Sequence, residues 1–357
     1  MNLIRDKQAL CFDDVLIVPQ YSDIRSRKDI SLQSGMLEFP VISSPMNTVT
    51  EDRMAIALGR FGGLGIIHRY CTIERQSEMV QMVRSELGPD KLVGSAIGVT
   101  GDWLERSKAL VSAGCDLLCI DIAHGHTVLL KEVCENKEFR NLLENNEVTL
   151  MAGNVATFEG FRYLEKLGVQ MIRASLGAGS ICKTKIQTHH GLPTLQTLLN
   201  ITKGYQDWSA GIGHRDAWIV ADGGMKTSGD AVCALAAGAD YLMFGSLFSG
   251  TEESPGPIIE QNGKPYKEYN GQASKKAQIA FKGSYNSDEG VSTLVPYKGP
   301  VIDVLKDLDN GLRSGLSYSG ARTIMEFQDS AILQVQTQSS YKEGTPHILG
   351  NNQNVSN

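Results

Sequence analysis

The chain has 357 residues, 41% hydrophobic and 21% charged, the make-up of a globular protein with ample core and room for one large or two modest domains. A formal net charge of −6, with no long basic run, argues against a nucleic-acid or acidic-membrane surface and leaves a small anionic ligand as the natural partner. The start, Met1-Asn2-Leu3-Ile4-Arg5-Asp6-Lys7, lacks the apolar stretch of a signal peptide, and no run of about 18 apolar residues follows, so a cytoplasmic protein is expected.

From the N-terminus one theme repeats: a short apolar or β-branched run, a loop, then an amphipathic stretch of helical period. Candidate strands end near Ser44, His68, Ile97, Asp121, Gly153, Ala174, Asp222 and Gly245. The spacings between these ends are 24, 29, 24, 32, 21, 48 and 23 residues, close to what one strand plus one returning helix requires. Arg53–Leu58 and Gly229–Leu235 fit such helices, and Gly238 fits a C-terminal cap. Eight units of this kind close a (β/α)8 barrel. The expectation is a single TIM-barrel domain over residues 1–357, with its core at about 38–330 and a tail, 331–357, that is partly without order. A doubly wound open sheet is the alternative.

In such a barrel the chemistry belongs at the C-terminal ends of the strands. Polar residues or glycines stand there: Ser44, His68, Asp121, Gly153-Asn154, Asp222-Gly223-Gly224 and Gly245-Ser246. The longest gap follows the sixth barrel strand and holds Ala174-Ser175-Leu176-Gly177-Ala178-Gly179-Ser180-Ile181-Cys182-Lys183-Thr184-Lys185. Alternate glycines let this backbone fold tightly and aim amides and carbonyls at an anion or a monovalent cation. Ser180 suits a phosphate oxygen, Cys182 is a candidate nucleophile, and Thr184 is a candidate hydroxyl for moving a proton. A Gly-rich turn with a buried cysteine is the plainer alternative. The pairs Gly223-Gly224 and Gly245-Ser246 follow the seventh and eighth strands, where barrels commonly bind phosphate through amides.

Of the seven cysteines, which show no zinc-type spacing, the six at 11, 71, 115, 119, 134 and 233 read as structural or incidental. His124 and His126, two residues apart without cysteine or carboxylate partners, do not read as a metal site, nor does His189-His190.

Gly177-Ala178-Gly179-Ser180-Ile181-Cys182, with Asp222-Gly223-Gly224, Gly245-Ser246-Leu247-Phe248 and Thr251-Glu252-Glu253-Ser254-Pro255-Gly256, resembles the inosine monophosphate dehydrogenase and guanosine monophosphate reductase family. The likeness runs from Phe12-Asp13-Asp14-Val15 and Ser44-Pro45-Met46-Asn47-Thr48-Val49 to Gly311-Leu312-Arg313-Ser314-Gly315. It implies a barrel that binds a purine nucleoside monophosphate (GMP or IMP), attacks its C2 carbon with Cys182 and exchanges hydride with a nicotinamide cofactor. It also implies nucleotide contacts from Ser44, Ser180, Asp222, Gly223, Gly224, Gly245, Ser246, Gly271, Gln272 and Gly290. Cofactor contacts would come from Ser26, Arg27, Arg69, Asp121, Ile122, Ala123 and Asn154. The carbonyls of Gly177, Gly179 and Cys182 would coordinate a monovalent cation such as potassium, and the assembly would be a homotetramer.

Within this resemblance the segment from Gly271 to Gly290 is a short flap without the Arg-Tyr pair of the dehydrogenase. Its end, Tyr285-Asn286-Ser287-Asp288-Glu289-Gly290, is similar to the reductase, which makes Glu289 the catalytic glutamate alongside Cys182 and Thr184. Arg25-Ser26-Arg27-Lys28-Asp29 resembles the reductase segment that meets the extra phosphate of NADPH, and the regulatory insertion after the second barrel strand is absent. These features imply an NADPH-dependent GMP reductase. Other features depart from the family pattern: Asn47, Ser175, Ala178, Lys183, Lys185, His189-His190-Gly191 and Gln272, with a tail, Ser340–His347, nearer the dehydrogenase. An NAD-dependent IMP dehydrogenase, an activity on a modified purine nucleotide, and a non-catalytic nucleotide sensor stay open.

Overall fold

The computed structural model describes residues 8–209, 215–271, 274, 290–344 and 346. A two-residue apolar alternation, buried on both sides, shapes its centre. Eight parallel strands form a closed barrel in chain order: β2 (Val41–Ser43), β3 (Leu64–Ile67), β4 (Gly94–Ile97), β5 (Leu117–Asp121), β6 (Thr149–Val155), β7 (Met171–Ala174), β8 (Trp218–Asp222) and β9 (Tyr241–Phe244). The last strand pairs with the first, Val41 opposite Leu242 and Ser43 opposite Phe244. That closure excludes the open doubly wound sheet. The strand ends lie within two residues of those expected from the sequence.

Inward residues Ile42, Ile66, Ala96, Leu117, Cys119, Met151, Met171, Val220, Tyr241 and Met243 form one buried cluster inside the barrel. Their neighbours Val41, Leu118, Leu150, Ile172, Ile219 and Leu242 belong to the larger cluster beneath the helices. Parallel strands covered on both faces need near-continuous apolar runs, and each fully buried side chain of this size contributes about 1.5–3 kcal/mol.

Four of the returning helices begin on threonines placed just past the strand loops. Thr72, Thr127, Thr157 and Thr227 each accept a hydrogen bond from the amide three residues on, which satisfies a donor that a helix start otherwise leaves open. Helix Ser228–Ala236 adds a full capping box from Thr227 and Asp230, and Gly238, at φ +99°, turns the chain where a side chain would be strained.

Two smaller sheets flank the barrel. β1 (Val15–Ile17) pairs antiparallel with β13 (Leu333–Val335), and β10 (Ile259–Gln261), β11 (Lys264–Asn270) and β12 (Ser292–Pro296) form an antiparallel sheet. Lys267 on β11 is buried, its Nζ donating to the carbonyls of Thr251 (3.2 Å), Glu252 (3.3 Å) and Ser254. This fixes β11 beside the loop that follows β9. No helix among the described residues is long and apolar enough to cross a membrane.

Candidate active site

Residues just past the strand ends converge on one cavity of about 360 Å³. Ser44, Arg69, Asp121, Asn154, Ser175, Asp222 and Gly245 reach it from seven of the barrel strands or the loops just after them. The glycine loop between β7 and the short helix Thr184–Thr188 covers one side, and Tyr269, Gly271 and Gly290 close another.

The cysteine loop is held by backbone. Cys182 N–H donates to Gly179 O (3.0 Å), Val291 N–H to Ile181 O (2.9 Å), and Gly271 N–H to Val291 O (2.9 Å), while Cys182 itself pairs with Gly290. A Cβ on Gly271 would stand 3.0 Å from the Cα of Gly290, so this close approach needs glycine. Gly223 has φ +79°, and a Cβ there would sit 3.4 Å from the Cα of Gly179; the loop after β8 thus packs directly on the cysteine loop.

The half-buried Cys182 thiol donates to Thr184 Oγ1 at 3.2 Å. With the sulfur ionised, the hydroxyl can donate instead, so the pair can pass a proton and stabilise a thiolate. The other six cysteines are shifted away from reactivity. Burial pushes Cys71 up to about 11 and Cys115, Cys119, Cys134 and Cys233 up to about 12, and raises Cys11 as well; all six remain thiols at neutral pH.

On the opposite side, Asp222 Oδ2 accepts from Asn154 Nδ2 (2.7 Å) and from Arg173 Nε and Nη2 (3.1 and 2.9 Å). Arg173 Nη1 donates to Asp121 Oδ1 (2.7 Å). Arg69 Nη2 donates to the Asp121 carbonyl (3.2 Å) and its guanidinium lies 5.0 Å over the Tyr70 ring. Near Gly245 a Cβ would meet Tyr269 OH at 3.0 Å, Met46 Sδ at 3.1 Å and Ser44 Oγ at 3.5 Å, and Ser180 Oγ lies 3.5 Å from the same tyrosine oxygen. Burial pushes Tyr269 up to about 12, so this hydroxyl keeps its proton. Three hydroxyls clustered beside a glycine turn suit a phosphate, and the cavity-lining carboxylates of Asp121 and Asp222 suit a diol.

Of the site residues expected from sequence, Ser44, Arg69, Asp121, Ile122, Ala123, Asn154, Gly177, Gly179, Ser180, Cys182, Thr184, Asp222, Gly223, Gly224, Gly245, Ser246, Gly271 and Gly290 all line this cavity. Ser26 and Arg27 do not: they sit in an exposed turn where Ser26 Oγ accepts from Lys28 N. Gln272 and Glu289 lie outside the described residues. His68 turns away, its Nδ1 accepting from Tyr70 N (3.1 Å) and its Nε2 contacting Glu51 (3.2 Å). No cluster of histidine, cysteine, aspartate or glutamate among the described residues could hold a metal ion. Sequence reading missed Arg173, Tyr269, Met46 and Tyr70. Only Arg173 carried a signal, a lone charge inside the apolar run Met171-Ile172-Arg173-Ala174.

On this closed (β/α)8 barrel, with its cysteine loop after the sixth strand and glycine turns after the seventh and eighth, residues 9–347 match an oxidoreductase family described as IMP dehydrogenase / GMP reductase domain. The chain belongs to that family. An inosine-5'-monophosphate dehydrogenase of Nitrosopumilus maritimus is 32% identical, with 96% of this chain and 98% of that protein aligned. A GMP reductase of Leishmania major is 27% identical, with 96% and 97% aligned. The crystal structure of a GMP reductase variant from Trypanosoma brucei in complex with guanosine 5'-monophosphate superposes with a TM-score of 0.87 at 26% identity, covering 96% of this chain and 98% of that one. The alignment with the Nitrosopumilus protein spans 479 positions against 357 residues here, so the relative carries a substantial stretch with no counterpart in this chain.

Proposed function

We propose that the protein is an NADPH-dependent GMP reductase, converting GMP, NADPH and two protons to IMP, NADP and ammonium. The observation that carries this is the Cys182–Thr184 pair, with Cys182 held by backbone bonds, lining a cavity that hydroxyls and glycine turns also line. The sequence from Gly271 to Gly290 adds the direction, since it has no Arg-Tyr pair to activate water and places Glu289 directly before Gly290, the residue paired with Cys182.

In this reading Ser44, Ser180 and the amides of Gly224, Gly245 and Ser246 hold the phosphate, Asp222 accepts from the ribose hydroxyls, and Gly271, Gln272, Gly290 and Gly223 enclose the base. The Cys182 thiolate adds to C2 of GMP. Thr184 and Glu289 deliver a proton to the departing amine, and ammonia leaves a thioimidate on Cys182. NADPH, when bound, supplies the hydride that C2 accepts. The carbon–sulfur bond then breaks, the electron pair returns to Cys182, and IMP is free.

The residues present fit a nicotinamide cofactor along one edge. Ile122 and Ala123 line the cavity there, beside the amide of Asn154, and Arg69 Nε is buried without a hydrogen-bond partner among the described residues, as a donor awaiting an acceptor would be. The preference for NADPH over NADH rests on the likeness of Arg25-Ser26-Arg27-Lys28 to the reductase segment and on its phosphate-suited chemistry; within one chain that exposed turn lies off the cavity. Gly177, Gly179 and Cys182 are the carbonyls that would take potassium; the stem of Lys185 packs across Gly177. A homotetramer in the cytoplasm belongs to the same reading.

The dehydrogenase reading has its own support. Relatives named as dehydrogenases align at 29% to 33% identity, those named as reductases at 27%.

Product analysis tests the choice: incubation with GMP and NADPH should give IMP and ammonia in equal amounts, and xanthosine monophosphate from IMP and NAD as the main activity would reverse the assignment. Asp222→Ala should weaken GMP binding by about 1–3 kcal/mol, the worth of hydrogen bonds to a charged group. Unchanged affinity in calorimetry would place the ribose elsewhere.

A further inference from the structure

The lone arginine of β7 is built into the site in a way that the chemistry above does not use. Arg173 has a side chain only 8% exposed, and a buried guanidinium persists only where its charge and donors are met. Two carboxylates from different strands meet them: Asp222 at the end of β8 and Asp121 at the end of β5. Nε and Nη2 grip one oxygen of Asp222, and Nη1 grips one oxygen of Asp121. The second oxygen of each carboxylate accepts no hydrogen bond from any described residue, and both residues line the cavity.

We propose that Arg173 is a positioning residue that sets both carboxylates at once, turning the open oxygen of Asp222 toward the nucleotide ribose and that of Asp121 toward the nicotinamide cofactor. The inference rests on the reading above, in which these two aspartates face the two ligands. A planar guanidinium can do this because its donors diverge in fixed directions, whereas a lysine ammonium is a point charge on a flexible stem. The other groups facing Arg173 leave the charge balance intact. Cys119 Sγ lies 3.8 Å from Nη1, with its thiol pushed up by burial to about 12, and Tyr70 is raised likewise. Arg69 reaches only the Asp121 carbonyl.

The test uses the full-length parent, Arg173→Lys, Arg173→Gln and Asp121→Asn, with calorimetric titration of GMP, IMP, NADPH and NAD, and circular dichroism for folding. Arg173→Gln should weaken both nucleotide and cofactor by about tenfold or more, the scale of one charge-assisted hydrogen bond, whereas Asp121→Asn should weaken the cofactor alone. Arg173→Lys should restore at most one of the two affinities, because a point charge on a flexible stem cannot hold both carboxylates in place. A purely structural role would lower the melting temperature and leave both affinities where they were; that result, or full rescue of both ligands by lysine, overturns the proposal. If Arg173→Gln does not fold, the lysine variant decides alone. A parent that binds neither GMP nor IMP sinks the functional reading and this inference with it, while ligand binding that is intact in parent and variants alike sinks this inference only.

Discussion

Replacing Cys182 with alanine should lower turnover by about four orders of magnitude or more, the scale seen when the nucleophile of a covalent enzyme is removed, while GMP affinity stays within about threefold of the parent, under about 1 kcal/mol. The two halves of this expectation come from different parts of the cavity. The sulfur belongs to a loop held by the Gly179, Ile181 and Gly290 backbone, which does not depend on the side chain, so the substitution leaves the loop in place. The phosphate and ribose contacts proposed above fall on Ser44, Ser180, Gly245 and Asp222, not on the sulfur. Single-turnover kinetics and calorimetry on the same preparation measure both; residual turnover near the parent rate would rule out a covalent route through Cys182.

Glu289→Gln should slow ammonia release by about 100-fold or more, in line with the usual worth of a positioned proton donor, with GMP affinity little changed. Glutamine keeps the size and the hydrogen-bonding outline of the side chain but has no acidic proton to give, so the departing amine must take its proton from water, a far weaker donor. Thr184 cannot replace it alone. Its hydroxyl is 3.2 Å from the Cys182 sulfur and exchanges protons with it, but a hydroxyl is too weak an acid to act as the ultimate source. Release of ammonia at the parent rate, followed by a coupled enzymatic assay, would show that the proton comes from elsewhere.

The barrel was legible because its strands are buried on both faces. A run such as Leu117-Leu118-Cys119-Ile120 tolerates no polar residue until the chain leaves the core, so the first polar or glycine position marks a strand end and, in this architecture, the site. The flanking sheet β10–β12 was not legible for the opposite reason. Lys264–Asn270 reads Lys-Pro-Tyr-Lys-Glu-Tyr-Asn, and its inward residue Lys267 is a lysine that three carbonyls hold in a buried position, which inverts the apolar alternation a strand is recognised by. Tyr269, carried by the same strand into the cavity, was hidden with it. Arg173 broke the apolar run of β7 visibly, but its purpose depends on Asp121 and Asp222, 52 and 49 residues away in sequence, and only the closed barrel brings the three together. Ser26 and Arg27 show the converse: their chemistry suits a phosphate, yet within one chain they lie in an exposed turn off the cavity.

Direction of hydride transfer is the central claim, and the absorbance of the reduced nicotinamide follows it directly. The initial rate of NADPH loss with GMP should exceed the initial rate of NADH formation from NAD and IMP by a wide margin, because the chain from Gly271 to Gly290 offers no Arg-Tyr pair to activate water at the thioimidate, whereas the proposed relay of Thr184 and Glu289 would serve the amine. Faster reduction of NAD with IMP than oxidation of NADPH with GMP would contradict the account and make the protein a dehydrogenase.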